Sequence, residues 1–248
     1  MILLIDIGNT HTHLGLGDEN GVIETTQIAT HGLTIAEETE ALKRLCRRPP
    51  SAAVICSVVP ERTSAIQIAL RQSFDLFGTE LTHATVKGVG IDYPKPETIG
   101  PDRLANAIAA KARLGTPVVV VDFGTAVTFD VVNRRGNYVG GIIAPGIAAM
   151  TDYLHEKTAL LPRIQIVEPD RVVGSSTESA MLSGAVYGYR GLVRELLHKL
   201  KAELDVSDLN VLATGGYAEL IAKDLPEIQS VDPHITLDGL RRFHLCES

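Results

Sequence analysis

One short motif appears twice in this chain, 116 residues apart. The first copy is Ile2-Leu3-Leu4-Ile5-Asp6-Ile7-Gly8-Asn9-Thr10, and the second is Val118-Val119-Val120-Val121-Asp122-Phe123-Gly124-Thr125-Ala126. In each, an apolar run too short for a typical helix reads as a buried strand. It ends in an acid, and a glycine then lets the backbone turn tightly and approach a ligand. The exposed N–H groups of such a turn suit a phosphate. An aspartate at the strand's end can hold hydrated Mg²⁺, which prefers oxygen ligands. Either copy alone is compatible with an ordinary hairpin. The repeat, spanning nearly half of 248 residues, predicts two similar domains, 1–115 and 116–248, each offering one turn to a shared cleft.

The elements around the motif predict an α/β chain. After the first turn, Thr12, Leu14 and Leu16 alternate with His13 and Gly15 as a second strand. Asp18-Glu19-Asn20-Gly21 is a hairpin turn leading to a third strand from Val22. Thr34 and Glu37 form a capping box for a helix that stops before Pro49-Pro50. A strand over 52–58, a helix over 60–74 and a fifth strand over 80–86 follow. Pro101 suits the first position of a helix that ends at Gly115. The second half opens the same way, with strands near 118–122, 126–132 and 138–143. Gly140-Gly141 and Pro145-Gly146 mark a bend where backbone comes close to something. Ser175 and Glu178 read as a capping box for a helix running to Leu204, with Leu182, Ala185, Val186, Tyr189, Val193, Leu196 and Leu200 as its apolar stripe. A strand over 209–213 leads into Thr214-Gly215-Gly216, and 235–243 can dock as a last helix. The pattern of strand meanders followed by helix crossovers describes mixed sheets carrying helices.

Bulk properties narrow the partners. A net charge of −7, with no basic cluster beyond Arg47-Arg48, argues against nucleic acid and anionic membranes. Cys46, Cys56 and Cys246 are too few and scattered for a disulfide framework or a zinc site, which fits a reducing cytoplasm. Asp6 interrupts the first apolar run, so no secretory leader is expected, and no segment has the length of a membrane span.

Gly100-Pro101-Asp102-Arg103 carries the clearest chemistry. Asp102 falls in the first turn of a helix, where the dipole favours a carboxylate. Leu104, Ile108 and Ala112 form a buried row, and Asp102, Asn106 and Ala110 lie on another side, toward the cleft. Two readings stand: Asp102 stabilises the helix end, or it accepts a proton from a hydroxyl that attacks phosphorus. Arg103 either pairs with a nearby acid or anchors a carboxylate on the acceptor. Asp122 suits cation binding better than base catalysis, and Asp130 reads as a solvated strand edge. The glycines after Thr214 form a plain strand–helix turn or lie against a ring such as adenine. His11 and His13 share a strand face, as a metal pair or as a rim beside the turn.

Together with Ser57-Val58-Val59-Pro60 and Gly140-Gly141-Ile142-Ile143-Ala144-Pro145-Gly146, these pieces occur in an order that closely resembles a type III pantothenate kinase over nearly the whole chain. The resemblance implies an α/β fold of two ribonuclease H-like domains, of the acetate and sugar kinase, heat-shock and actin superfamily. It implies ATP-dependent phosphorylation of pantothenate at its primary hydroxyl, the first step of coenzyme A synthesis. By that resemblance Asp6, Ile7, Gly8, Asn9, Thr10, His11, Thr12 and His13 line the ATP phosphates, with Asp6 nearest Mg²⁺. Thr125 contacts ATP, and Asp102 is the proton acceptor. Tyr93, Gly100, Pro101 and Arg103 contact pantothenate. Thr177 reaches pantothenate across a homodimer interface, and Asp122 binds a monovalent cation, K⁺ or NH₄⁺. The chain departs from the family at Pro101, where a small residue is usual. Tyr93-Pro94-Lys95-Pro96 lacks an asparagine often found after the aromatic residue, and His11 and His13 replace an asparagine and a β-branched residue. Two other functions would suit the bare residues: a non-catalytic nucleotide-binding partner, and a kinase of the same fold acting on another small acid or sugar.

Overall fold

A computed structural model of the chain describes residues 1–246, which cluster into two compact units. The first comprises Met1–Gly115, Arg134–Val139 and the segment from His234 onward. The second comprises Thr116–Asn133 and Gly140–Pro233. Two segments therefore belong with the first unit although they follow the start of the second in sequence.

The first unit is built on β1 (Ile2–Ile7), β2 (His11–Gly17), β3 (Val22–Ala29), β4 (Ala52–Ser57) and β5 (Gly78–Glu80), in the order β3-β2-β1-β4-β5. β1 runs antiparallel to β2 and parallel to β4. Alternation sends Leu3, Ile5 and Ile7 to one face, where they join Ile55, Leu42, Ile66 and Leu70 in a core under α1 (Ile35–Leu45) and α2 (Pro60–Phe74). The opposite face of the sheet carries α3 (Pro101–Leu114) and α7 (Ile235–Leu245). A short β6 (Gly90–Ile91) pairs in parallel with the first residues of β9 (Asn137–Pro145).

The second unit repeats this plan. Its strands β7 (Val118–Phe123), β8 (Ala126–Val132), the remainder of β9, β10 (Asn210–Thr214) and β11 (Ser230–Val231) lie in the order β9-β8-β7-β10-β11. β7 is antiparallel to β8 and parallel to β10, and its burial pattern is residue for residue that of β1. Helices α4 (Ile147–Lys157), α5 (Thr177–Glu203) and α6 (Ala218–Ala222) complete it. Arg190 of α5 is buried, held by Glu168 and by the Leu220 and Ile221 carbonyls.

Several local expectations need correction. The fifth strand is three residues long and ends at Glu80. Residues 82–86 instead form a turn in which the Thr82 and Thr85 hydroxyls bond each other's N–H groups. Local side-chain bonds there outcompete the β-branched composition. The cap of α5 is Ser176, reciprocating with Ser179, and not Ser175 with Glu178. Its buried stripe takes Leu197 where Leu196 was expected and excludes Leu182. Asn106 and Ala110 are buried, because α7 lies against α3, and the Asn106 Oδ1 accepts a bond from Thr236; Ala112 is exposed. Asp130 is no solvated edge. It is fully buried in β8, an interior strand flanked by β7 and β9.

Candidate active site

The first acidic turn is pinned from beneath. Gly8 N–H donates to the His11 carbonyl at 3.1 Å, and a Cβ at Gly8 would stand only 3.0 Å from that oxygen. Buried Thr30 donates to the Gly8 carbonyl at 2.7 Å, and its backbone N–H donates to the Thr10 carbonyl. Its hydroxyl also bonds that of buried Thr12 at 3.1 Å. Thr12 thus braces the turn, and Ile7 is part of the core. Asn9, Thr10, His11 and His13 are exposed, and the two imidazoles stand 6.4 Å apart. Although its surface reaches solvent, partial desolvation of the His13 ring by packed neighbours, then the charges of His11 and His234, push its pKa down. Thr30 was not among the predicted residues; a threonine in a loop carries no signal of its own.

Asp6 is half-buried at the end of β1, level with Cys56 on β4, and the Cys56 thiol donates to Asp6 Oδ1 at 3.2 Å. The Cys56 thiol is pushed well above its ordinary pKa by burial and then by the charges of Asp6 and Asp102. Asp102 therefore lies in the same electrostatic neighbourhood as Asp6, although the two are 96 residues apart. Among the described residues no three His, Cys, Asp or Glu side chains gather into a metal cage. Mg²⁺ bound with a nucleotide keeps waters and phosphate oxygens and needs only one or two carboxylates, a demand that Asp6 fits.

Asp102 is the second residue of α3, whose N-cap, Gly100, offers no side-chain bond. Asp102 Oδ1 takes over, accepting from Arg103 N–H at 2.9 Å. The carboxylate folds so tightly over Gly100 that a Cβ there would collide with it. Burial pushes the Asp102 pKa up, outweighing the bond and charge of Arg103. The Arg103 guanidinium lies over the Tyr138 ring, 5.8 Å from its centroid, and Tyr93 meets the same ring edge-on at 6.2 Å. The Asp92 N–H bond to the Tyr138 carbonyl, beside the β6–β9 pairing, holds Tyr93 there. Tyr138 is buried and was not predicted, since its place depends on a chain crossing between units.

In the second unit the acidic turn is one residue shorter: Phe123 pairs with Val127, whereas Ile7 pairs with Thr12. Asp122 is half-buried and Thr125 exposed. Two glycines press on this turn. A Cβ at Gly146 would collide with the Gly124 and Thr125 carbonyls, and one at Gly215 would lie 2.6 Å from the Phe123 backbone. The close approach expected at Pro145-Gly146 is thus made to this turn, and Gly215, expected to form a plain turn or to lie against a ring, packs on it too. A Cβ at Gly216 would meet open space, and Thr177 is exposed at the start of α5.

Asp102 thus stands half-buried at a helix entrance, with the first acidic turn in the same electrostatic neighbourhood. Residues 2–199 match the family model described as type III pantothenate kinase. The chain belongs to that family. A type III pantothenate kinase of Akkermansia muciniphila is 48% identical over 240 residues, covering 96% of both chains. That of Methylacidiphilum infernorum is 41% identical, covering 97% of this chain and 86% of its own. The solved structure of a ROK family glucokinase from Streptomyces griseus, in complex with glucose and AMPPNP, covers 98% of each chain at a TM-score of 0.52 and 16% identity. The chain accordingly has the fold of two ribonuclease H-like domains, in keeping with the repeated strand order. It transfers phosphate from ATP to pantothenate, the step that opens coenzyme A biosynthesis.

Proposed function

We propose that Asp102 is the general base of this pantothenate kinase. The observation that carries the assignment is its placement: first turn of α3, Oδ1 fixed by Arg103 N–H, in the electrostatic neighbourhood of Asp6. With Oδ1 engaged, Oδ2 is the atom that takes the proton of the primary hydroxyl as its oxygen attacks phosphorus. Arg103, steadied over Tyr138, anchors the pantothenate carboxylate, and Tyr93, Gly100 and Pro101 complete the contacts. Residues 6–13 line the ATP phosphates, Ile7 and Thr12 through backbone only, since their side chains are engaged in the fold. Asp6 is the ligand for Mg²⁺, which when bound neutralises developing phosphate charge.

In the second unit, Thr125 contacts ATP and Asp122 holds K⁺ or NH₄⁺. The half-buried Asp122 carboxylate beside a turn of backbone carbonyls supports that role. The enzyme is a homodimer in which Thr177 reaches the partner's pantothenate. Support comes from exposed apolar side chains of the same unit: Met150, Tyr153 and Leu154 on α4, then Leu160, Val172 and Val173 leading to Thr177. So much unpaired apolar surface marks an interaction site. The main domain boundary falls at Gly115, with residues 134–139 and those from His234 onward returning to the first domain, and a cytoplasmic location accords with three free cysteines, two of them buried. Among the described residues no helix is long and apolar enough to cross a membrane. Pantothenate-dependent ADP release by the purified protein, measured against a panel of small hydroxy acids and sugars, tests the assignment. Release with another acceptor and none with pantothenate would overturn it.

A further inference from the structure

Cys56 has no part in the assignments above, yet it is tied to their nucleotide end. β1 and β4 run in parallel with Asp6 level with Cys56, so both side chains leave the same face of the sheet, the one that carries α3 and α7. The other residues of β1 and β4 on that face are apolar, Ile2, Leu4 and Val54 buried and Ala52 half-buried. At the end of this row the sequence switches to an acid and a thiol, and the two bond at 3.2 Å. The second unit repeats the arrangement by register: Asp122 is level with Thr214, again a small buried side chain with a proton to donate.

We propose that Cys56 is a positioning residue for the ATP site, its S–H fixing the rotation of the Asp6 carboxylate; this rests on the reading that Asp6 meets the metal-bound phosphates. A thiol suits the task. It is a weak donor, so it orients the carboxylate while leaving the charge a cation needs. It is 1% exposed and level with Asp6 in the strand register, so its S–H is held against Oδ1 away from competing water. A residue that only filled space would place no donor at Oδ1.

The test is calorimetric binding of Mg-AMPPNP, alongside KM for ATP and for pantothenate, on Cys56→Ala, Cys56→Val, Cys56→Ser and Asp6→Asn. Circular dichroism identifies the folded variants, and Val keeps the core filled should Ala unfold. The variants without a donor should bind Mg-AMPPNP about three- to tenfold more weakly, the range of one ordinary hydrogen bond. KM for ATP should rise in step while KM for pantothenate stays within about twofold, by the same argument. Cys56→Ser, which restores a donor, should recover most of the affinity. Wild-type binding by the folded donorless variants, equal losses in Ser, Ala and Val, or both KM values rising together would each overturn the proposal. Asp6→Asn separates the two failures. If it weakens binding while Cys56→Ala and Cys56→Val do not, only the role of Cys56 falls. If Asp6→Asn binds normally, the assignment of Asp6 falls and takes the proposal with it.

Discussion

Gly239 on α7 lies against the backbone of Ala105 on α3 with no room for even one methyl group. Since the Ala105 backbone belongs to a helix, it cannot yield as a flexible side chain would. Gly239→Ala should cost about 1–3 kcal/mol in stability, as overpacking does. It should also lower turnover, because the displaced helix carries Asp102 three residues earlier. Thermal melts and steady-state rates check this; a variant as stable as the parent would mean that the two helices part freely.

Asp102→Asn keeps the shape of the side chain and removes its basicity. Turnover should fall by about 10²–10⁴, the contribution expected of a general base, with folding intact. ADP release and circular dichroism measure the two, and near-normal turnover would remove Asp102 from its role.

The raised pKa of Asp102 has two consequences of known sign. The base acts as the anion, so activity should decline, as pH falls, at higher pH than an ordinary aspartate near 3.8 would give. Burial penalises that same anion, so Asp102→Asn should melt no lower than the parent at neutral pH. The margin should shrink as acid protonates the native aspartate. A pH–rate profile and melts at two pH values test both.

Asp238 orients the arginine that ties α7 to the rest of the first unit. It bonds Arg241 and Arg242 at 2.8 Å each, and Arg241 donates onward to the Asp18 and Glu19 carbonyls in the β2–β3 turn. Burial opposes its charge, but the two arginines hold its carboxyl below the ordinary range. This stabilisation is complete above 3.8 and is lost as pH falls through the depressed value. Asp238→Ala, which strands a buried arginine, should cost about 3 kcal/mol by chemical denaturation.

Replacing K⁺ by tetramethylammonium should lower activity, and Asp122→Asn should blunt the response to added K⁺. A rate indifferent to the cation would take Asp122 out of that role.

The repeat was legible because a buried strand ending in acid–X–glycine is a local pattern, and β1 and β7 bear it out in burial as well as in sequence. Helix starts at Thr34, Pro60 and Pro101 were legible for the same reason. What escaped depends on partners distant in sequence. Thr30 braces the first turn from 22 residues away, and Cys56 reaches Asp6 from 50. Asn106 faces inward only because α7, 130 residues later, covers it. Asp130 was misjudged because alternation along one strand cannot tell whether the sheet's second face is covered.

The place of α7 bears on how the chain comes into being. Translation releases β1, β4 and α3 long before α7 exists, so their shared sheet face waits for a cover encoded far downstream. Until α7 emerges, that face lacks part of the cover that buries Leu4, Val54 and Ala105 in the finished fold, the kind of transient apolar surface that promotes misassociation.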